Sequence, residues 1–399
     1  MASATTQDTA QCDAQGKVWY YSFFATGETV RKCLGLFYSG VCCMKVDTTM
    51  ILTNEHLCNT PEIGRYAKKL EDIGFGAAFT FEGQHEPFLP LALAAQGTQQ
   101  MELGTGIAVA FARNPMNLAN LGYDLQLMTQ GRFILGLGTQ IQAHIEKRFS
   151  MQWSKPAARM KEMIAAIRAI WHTWETNDKL RFEGEFYRHT LMTPTFNPGP
   201  NPYGLPKIVA AGVGPVMTEA VSEVADGFTI HPFNTAKSLR ELTLPAIQRG
   251  LAKNRFVNPV FEKHGTPSGA AKRRFEISCN VIIGSGKNEQ ELAVARDIVK
   301  KQIAFYGSTP AYRPVLECHG WGELQTELNR LSKLGKWDDM SNLVSDEILE
   351  AIAIVGPRDE IAPRIHRKLG GVADRVNLVA RYTTDENDWH DIVRQLKNT

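Results

Sequence analysis

From Val46 onward, short apolar runs alternate with longer segments whose apolar residues recur every three or four positions, the pattern of strands each followed by an amphipathic helix. Eight runs predict strands, at residues 46–52, 77–82, 102–110, 133–138, 207–211, 227–231, 275–283 and 375–380. Several of them, such as IVAA and FILGLG, are apolar on consecutive positions, as expected of parallel strands covered on both faces. Among the helices, Thr60 reads as an N-cap followed by Pro61, with Ile63, Tyr66, Ala67 and Leu70 on one face and Gly74 as the left-handed stop. A second stripe, Leu118, Leu121, Leu125 and Met128, ends at Gly131. The longest is Met160, Met163, Ile164, Ile167, Ile170, Trp171 and Trp174, whose spacing marks a core face. Eight βα units predict an α/β protein with a (β/α)8 barrel.

Two insertions interrupt the alternation. After strand 4, residues 180–192 read as a β-hairpin around Glu183 and Gly184, followed by a proline-rich loop to Pro206. Between strands 7 and 8, residues 284–374 are too many for one connecting helix, and a segment of that size in a barrel is expected to be functional or to cover the mouth. Residues 1–43 follow neither period, so the chain divides into an N-terminal extension, 1–43, expected to be poorly ordered or not native, and a barrel domain, 44–399. Met44, just ahead of the first strand, is the expected biological start, and native protein beginning at Met1 would overturn that. A packed extension is the alternative, its aromatics Trp19, Tyr20, Tyr21, Phe23 and Phe24 covering barrel surface.

Composition narrows the functional classes. Of 399 residues, 43% are hydrophobic and 22% charged, and 44 Lys and Arg against 42 Asp and Glu leave a net charge of +2, which calls for neither nucleic acid nor an anionic membrane. No run approaches the roughly 18 apolar residues of a spanning helix. The apolar stretch 33–43 lies too far from the start for a signal peptide, so a cytoplasmic protein is expected. Seven cysteines without a C-x-x-C pair suggest neither a disulfide framework nor a metal site.

A barrel of this kind carries its chemistry where the strands exit. The second exit reads Phe81-Glu82-Gly83-Gln84-His85-Glu86-Pro87, in which Glu82 and His85 are either an acid/base pair or a salt-bridged loop. Gly104 and Gly106 in the third strand mark a close approach of ligand to backbone or a relief of crowding. The fourth exit, Gly138-Thr139-Gln140, allows a ligand against the chain and adds a hydroxyl. At the fifth, Gly212-Val213-Gly214-Pro215 runs from strand into helix, with free N–H groups suited to phosphate, although a plain tight turn has the same sequence. The G-x-G-x-x-G fingerprint and the Walker loop are both absent. The sixth strand ends in His231, directed at the same mouth, whereas His144, His189 and His319 are less well placed.

The segments LEDIGF, ELGTGIAVAFARNP, GRFILGLGT, FEGEFY, AAGVGP, VADGF and IVGPRDEIAPRI, in that order, resemble the bacterial-luciferase-like flavin and deazaflavin oxidoreductase superfamily from about Met44 onward. FLPLALAA, AHIEKRFSM and FYGSTPAYRPVLE are similar to a mycobacterial-type subgroup of its coenzyme F420-dependent branch. The resemblance implies a (β/α)8 TIM barrel with a deazaflavin ring at its mouth, a cis peptide between Gly106 and Ile107 behind the ring, a phosphate turn at Gly212, Val213, Gly214 and Pro215, and a cofactor contact at Gly138 and Thr139. It departs where Gly83 stands in place of a histidine and Ile141 in place of a glutamate, which argues against a sugar-phosphate substrate. Glu82, His85 and His231 are therefore the expected proton-handling residues. The function this implies is F420-dependent hydride transfer with a small organic molecule, under a lid carrying Tyr306, Tyr312 and His319. Its alternatives are an FMN-dependent monooxygenase and a barrel that binds flavin or deazaflavin without turnover. No metal is expected; dimers are common in the superfamily, so a homodimer remains open.

Overall fold

The computed structural model describes residues 10–12, 18–20, 44–253, 275–380 and 386–397. The chain divides into two units, Met1–Cys43 and Met44–Thr399. The first contains an antiparallel pair, Ala10–Cys12 with Val18–Tyr20. Apart from that pair, the expectations for residues 1–43 lie outside the described residues.

The second unit is a closed barrel of eight parallel strands. They are β1 (Lys45–Thr49), β2 (Ala77–Thr80), β3 (Glu102–Thr105), β4 (Phe133–Gly138), β5 (Lys207–Gly212), β6 (Gly227–Ile230), β7 (Glu276–Gly286) and β8 (Arg375–Val379). Each pairs with the next in chain order, and Arg375 opposite Lys45 joins β8 to β1. All eight predicted strands are present. β2 stops at Thr80 rather than Glu82, and the third run breaks after Thr105 and resumes as Ala108–Val109, still paired with β4. A further parallel segment, Ile354–Pro357, extends the far half of β7. It was not predicted as a strand, because four residues of IVGP inside a long insertion carry no period.

Helices labelled here are α1 (Thr60–Ile73), α2 (Pro115–Met128), α3 (Pro156–Thr176), α4 (Pro215–Ser222) and α5 (Glu289–Gly307). Asn59 holds the N-cap position of α1 without a side-chain capping bond, so Thr60 belongs to the first turn and is not the N-cap, and Gly74 ends the helix at φ +100°. α2 buries Leu118 and Leu125, but Met128 faces solvent, because the helix rolls its Ala119, Gly122 and Tyr123 side inward. The seven stripe residues of α3 are all 0–1% exposed. At roughly 1.5–3 kcal/mol for each large apolar side chain buried, this helix is a main hydrophobic anchor of the barrel wall. The hairpin pairs Phe182–Glu183 with Arg188–His189, which puts its turn at 184–187, one step past the predicted position. The Glu162 carboxylate fixes that turn by accepting the N–H groups of Glu185, Phe186 and Tyr187.

One end of the barrel is closed by charge. The first residues of β1, β3, β5, β7 and β8 are Lys45, Glu102, Lys207, Glu276 and Arg375, and Asp47 joins them from inside β1. Arg375 donates to both oxygens of Asp47 (2.7 and 3.0 Å) and to Glu102 (2.6 Å). Lys207 bridges Glu276 and Glu102 (3.1 and 3.4 Å), and Lys45 reaches Glu102 (3.1 Å). Three cations thus balance three carboxylates. Burial works against the Glu102 carboxylate, but Arg375, Lys207 and Lys45 outweigh it and hold the group at about 2. This plug lies at the N-terminal ends of the strands, the end associated with stability, and leaves the other end for a site.

Candidate cofactor and substrate site

At the open end, four apolar side chains stand just past their strands. Ile51, Phe81, Ile141 and Val213, following β1, β2, β4 and β5, are 38–49% exposed. Apolar side chains exposed together around a mouth fit a flat, largely apolar ligand.

Between β3 and its continuation, the Gly106–Ile107 peptide is cis, at the bond the resemblance implies. Gly106 is exposed to the mouth and Ile107 is half-buried. Glu82 braces this segment. Its Oε2 accepts the Val109 N–H and an Arg113 N–H, both at 2.6 Å, while its own N–H donates to the Ile107 carbonyl (3.0 Å). Arg113 also reaches Glu86 (3.3 Å) and the Val109 carbonyl (3.1 Å). The Glu82 carboxylate is therefore engaged by Arg113 and Val109, not by His85, whose Nε2 is buried without a hydrogen-bond partner. The salt-bridged loop is thus the arrangement found, and Glu82 is a positioning group for the cis segment. Arg113, which sequence reasoning missed, was visible only as the basic residue of FARNP.

The fourth exit is less open than expected. A Cβ on Gly138 would lie 2.7 Å from Ile107 Cγ1 and Cδ1, so the Ile107 side chain fills that space. Thr139 is half-buried and its hydroxyl donates to the Gln140 carbonyl (2.9 Å). Gly104 and Gly136 are likewise crowded, by the Ile134 and Thr105 carbonyls at 2.7 and 1.7 Å from a built Cβ.

The fifth exit differs. Gly214 lies at φ +80°, ψ 159°, no side chain caps α4, and a Cβ there would meet nothing within 4 Å. Val213, Gly214, Pro215 and Val216 are all exposed. The first bond that closes onto this end is from Thr218 N–H to the Gly214 carbonyl (3.2 Å), so the preceding N–H groups have no partner within the helix. Together with the helix dipole they offer a seat for an anion. Gly212 is required for another reason, since a Cβ would lie 2.4 Å from Met217 Cγ.

His231 continues the inward register of Thr229 in β6. Its Nδ1 accepts the Phe233 N–H (3.1 Å), and its carbonyl accepts Asn234 Nδ2 (2.7 Å). Below it, Asn280 Nδ2 donates to the Ile230 carbonyl (2.9 Å), and Asn377 ties Asn280 Oδ1 (2.6 Å) to Thr49 Oγ1 (3.1 Å). The imidazole stacks on Tyr312 (4.5 Å, 21°) and meets Tyr306 edge-on (4.7 Å, 84°). The second insertion thus reaches the mouth through two of the three residues expected of it. Burial pushes the Tyr312 hydroxyl up, so it stays protonated. The third, His319, stacks on Trp321 (4.3 Å) and bonds Thr235 Oγ1 (2.9 Å), away from the His231 rings, and burial lowers its basicity. His144 is exposed on the short helix Gln142–Lys147, and His189 sits in the hairpin. Among the described residues, no group of three His, Cys, Asp or Glu could hold a metal, and no helix is long and apolar enough to cross a membrane.

A family model for luciferase-like monooxygenases matches residues 39–375. This chain belongs to that family. It is 54% identical over 310 residues, 78% of its length and 87% of the other, to an uncharacterised protein of Mycobacterium tuberculosis. It is 27% identical to the 5,10-methylenetetrahydromethanopterin reductase of Archaeoglobus fulgidus over 320 residues, 76% of this chain and 85% of that one. Its fold is similar to that of the coenzyme F420-dependent tetrahydromethanopterin reductase from Methanopyrus kandleri, with a TM-score of 0.67 at 17% identity over 88% of this chain and 98% of that one. Membership of the luciferase-like monooxygenase family places the chain among the oxidoreductases and leaves its cofactor open.

Proposed function

We propose that this protein is a coenzyme F420-dependent oxidoreductase acting on a small organic substrate. The observation that carries the reading is the uncapped turn at Gly212, Val213, Gly214 and Pro215, open to an anion and following a barrel strand at the end where Gly106 and the apolar rim are exposed. A putative coenzyme F420-dependent oxidoreductase of Mycobacterium tuberculosis, 25% identical over 310 residues, supports the choice of deazaflavin. In this reading the turn would hold the cofactor's phosphate, and Gly106, Ile107, Gly138 and Thr139 would be the residues that hold its ring. When bound, the reduced deazaflavin supplies hydride. Glu82 and Arg113 fix the ring's support, His231 faces the substrate side, and His85, with its buried unpaired Nε2, is the remaining candidate for moving a proton. A cytoplasmic location and a homodimer belong to the same proposal.

An FMN-dependent monooxygenase is the second reading, favoured by the description of the family itself. Titration of the protein with oxidised F420 and, separately, FMN, followed by tryptophan quenching, separates the two. Selective F420 binding is expected. Selective FMN binding with oxygen consumption would replace this reading with the monooxygenase, tight binding without reduction of any substrate would leave a non-catalytic barrel, and binding of neither would remove the anion seat.

A further inference from the structure

We infer that the barrel interior holds a binding site for one water molecule, gripped by the Asn377 side-chain oxygen and completing a polar column between the charged plug and the sixth exit. The inference is independent of what occupies the mouth.

Barrel interiors of this kind are ordinarily filled by layers of Val, Ile and Leu, and β2, β4 and β5 supply an apolar wall here through Phe79, Ile134 and Val209. The facing wall is polar. The inward positions of β6, β7 and β8 include Thr229, Ser278, Asn280 and Asn377, with Thr229 opposite Ser278 and Asn280 opposite Asn377 in the strand register. Ser278 and Asn377 are only 7% and 6% exposed, so bulk solvent does not serve them. A cavity lies between the two walls, bordered by Glu276 and Arg375 of the plug and by Gly106 of the cis segment.

The orientation of the two asparagine amides follows from their partners. The Ile230 carbonyl can only accept, so Asn280 turns its Nδ2 toward it and leaves its Oδ1 facing Asn377. That oxygen needs a donor, and Asn377 presents Nδ2 to it at 2.6 Å and to Thr49 Oγ1 at 3.1 Å. Both donors of Asn377 are then engaged. Its Oδ1 is buried and has no hydrogen-bond partner among the described residues. Flipping this amide would set its oxygen against Asn280 Oδ1, so the open acceptor is forced by the network. A buried acceptor of this kind calls for a partner.

Size and charge decide which partner. The space open to a water-sized sphere is about 20 Å³, and one water needs roughly 10–15 Å³ by that measure, so there is room for a water and none for an organic ligand. Arg375 on the cavity wall disfavours a cation. A water supplies the donor that Asn377 Oδ1 lacks, and its remaining hydrogen and lone pairs match the Thr229 and Ser278 hydroxyls, each of which can donate or accept. With the water bound, every polar atom of the Asn377 amide is held. Through Asn280 that amide then anchors the Ile230 carbonyl and the turn that follows it.

The test is a crystal structure of the full chain at a resolution that orders internal water, together with ¹⁷O relaxation dispersion of the solvent, which registers long-lived internal waters. A single density peak is expected about 2.5–3.0 Å from Asn377 Oδ1. Asn377→Leu keeps the shape without the acceptor and should lose that peak and one long-lived water. Ser278→Val leaves both asparagines in place, pushes a methyl group into the cavity and should lose the same water, so the proposal stays testable if Asn377→Leu does not fold. A cavity without density in the parent would overturn it. So would a peak ringed by six or more oxygens at about 2.3–2.6 Å, the coordination of a metal ion, or a long-lived-water signal in Ser278→Val equal to the parent's.

Discussion

Replacing Gly214 with alanine isolates what the turn contributes to cofactor binding. An added Cβ would meet nothing within 4 Å, so the substitution introduces no clash, and its cost is confined to a backbone at φ +80°, ψ 159° that only glycine adopts readily. That cost is about 1–3 kcal/mol, and the exposed turn can escape it by rotating its N–H groups away from the anion. If the rotated form is favoured by about 2 kcal/mol, the competent turn falls to about 3% of molecules and the apparent Kd for F420 rises about 30-fold. Gly199 is the matched control. It lies at φ +82° with equally open space, but in the proline-rich loop, where its carbonyl accepts the Tyr123 hydroxyl of α2. Gly199→Ala also places a side chain at positive φ and should leave cofactor affinity unchanged. The assay is tryptophan quenching on F420 titration, with a thermal melt of each variant. A Gly214→Ala protein that binds F420 within twofold of the parent would refute the assignment of the anion to this turn.

Four further outcomes follow from the geometry. Arg375→Met should lower stability by about 3–5 kcal/mol in urea unfolding, because it leaves the fully buried Asp47 without its counter-charge; a loss below about 1 kcal/mol would mean that the plug is not a major stabiliser. The folded-state pKa of Glu102, about 2, lies below its ordinary value of 4.5, so its contribution is full above pH 4.5 and is lost as the pH falls toward 2. That contribution is roughly 3 kcal/mol, and Glu102→Gln should flatten the stability curve between those limits. Glu82→Gln should cost about 1–3 kcal/mol and weaken ring binding; if it instead abolished turnover with stability and binding intact, Glu82 would be the acid or base that the sequence suggested. A chain beginning at Met44 is expected to retain the parent's F420 affinity, and loss of binding would assign residues 1–43 a part in the barrel's integrity.

The strands were legible because barrel strands are apolar on both faces and the helices between them carry stripes and stops, so Phe133 to Gly138 could be read to the residue. The plug was not, since Lys45, Glu102, Lys207, Glu276 and Arg375 each resemble a solvent charge at the edge of a strand. Only closure of the barrel turns five such edges into one network. The glycines were half legible. A missing Cβ announces a close approach without saying whose: at Gly138 the neighbour is Ile107, at Gly136 it is Thr105, and at Gly214 the space is empty. Glu82 was singled out for its exit, but its bonds to Val109 and Arg113 were not legible, because Arg113 lies beyond the whole of β3. That Tyr306 and Tyr312 belong to a lid was expected from the resemblance, but their packing on His231 was not legible, because an insertion's length says nothing of where its side chains land.

That pairing has a consequence for how the site is divided. The second insertion carries its own core, with Ile303, Leu328, Leu349 and Val355 buried together, and joins the barrel through Phe233 just after β6 and Ile282 of β7. The anion turn follows β5 and the cis segment interrupts the third run, both outside that core. Substitutions within the insertion can therefore reshape the surroundings of Tyr306 and Tyr312 without moving the groups that would hold a cofactor, since packed cores that share few residues respond separately. His231 sits at the junction, with its backbone pinned by barrel residues Asn280 and Asn234 and its ring held by the insertion. Changes at Tyr312 should accordingly leave F420 affinity as it was, and loss of F420 binding in Tyr312→Ala would show that the two cores act as one.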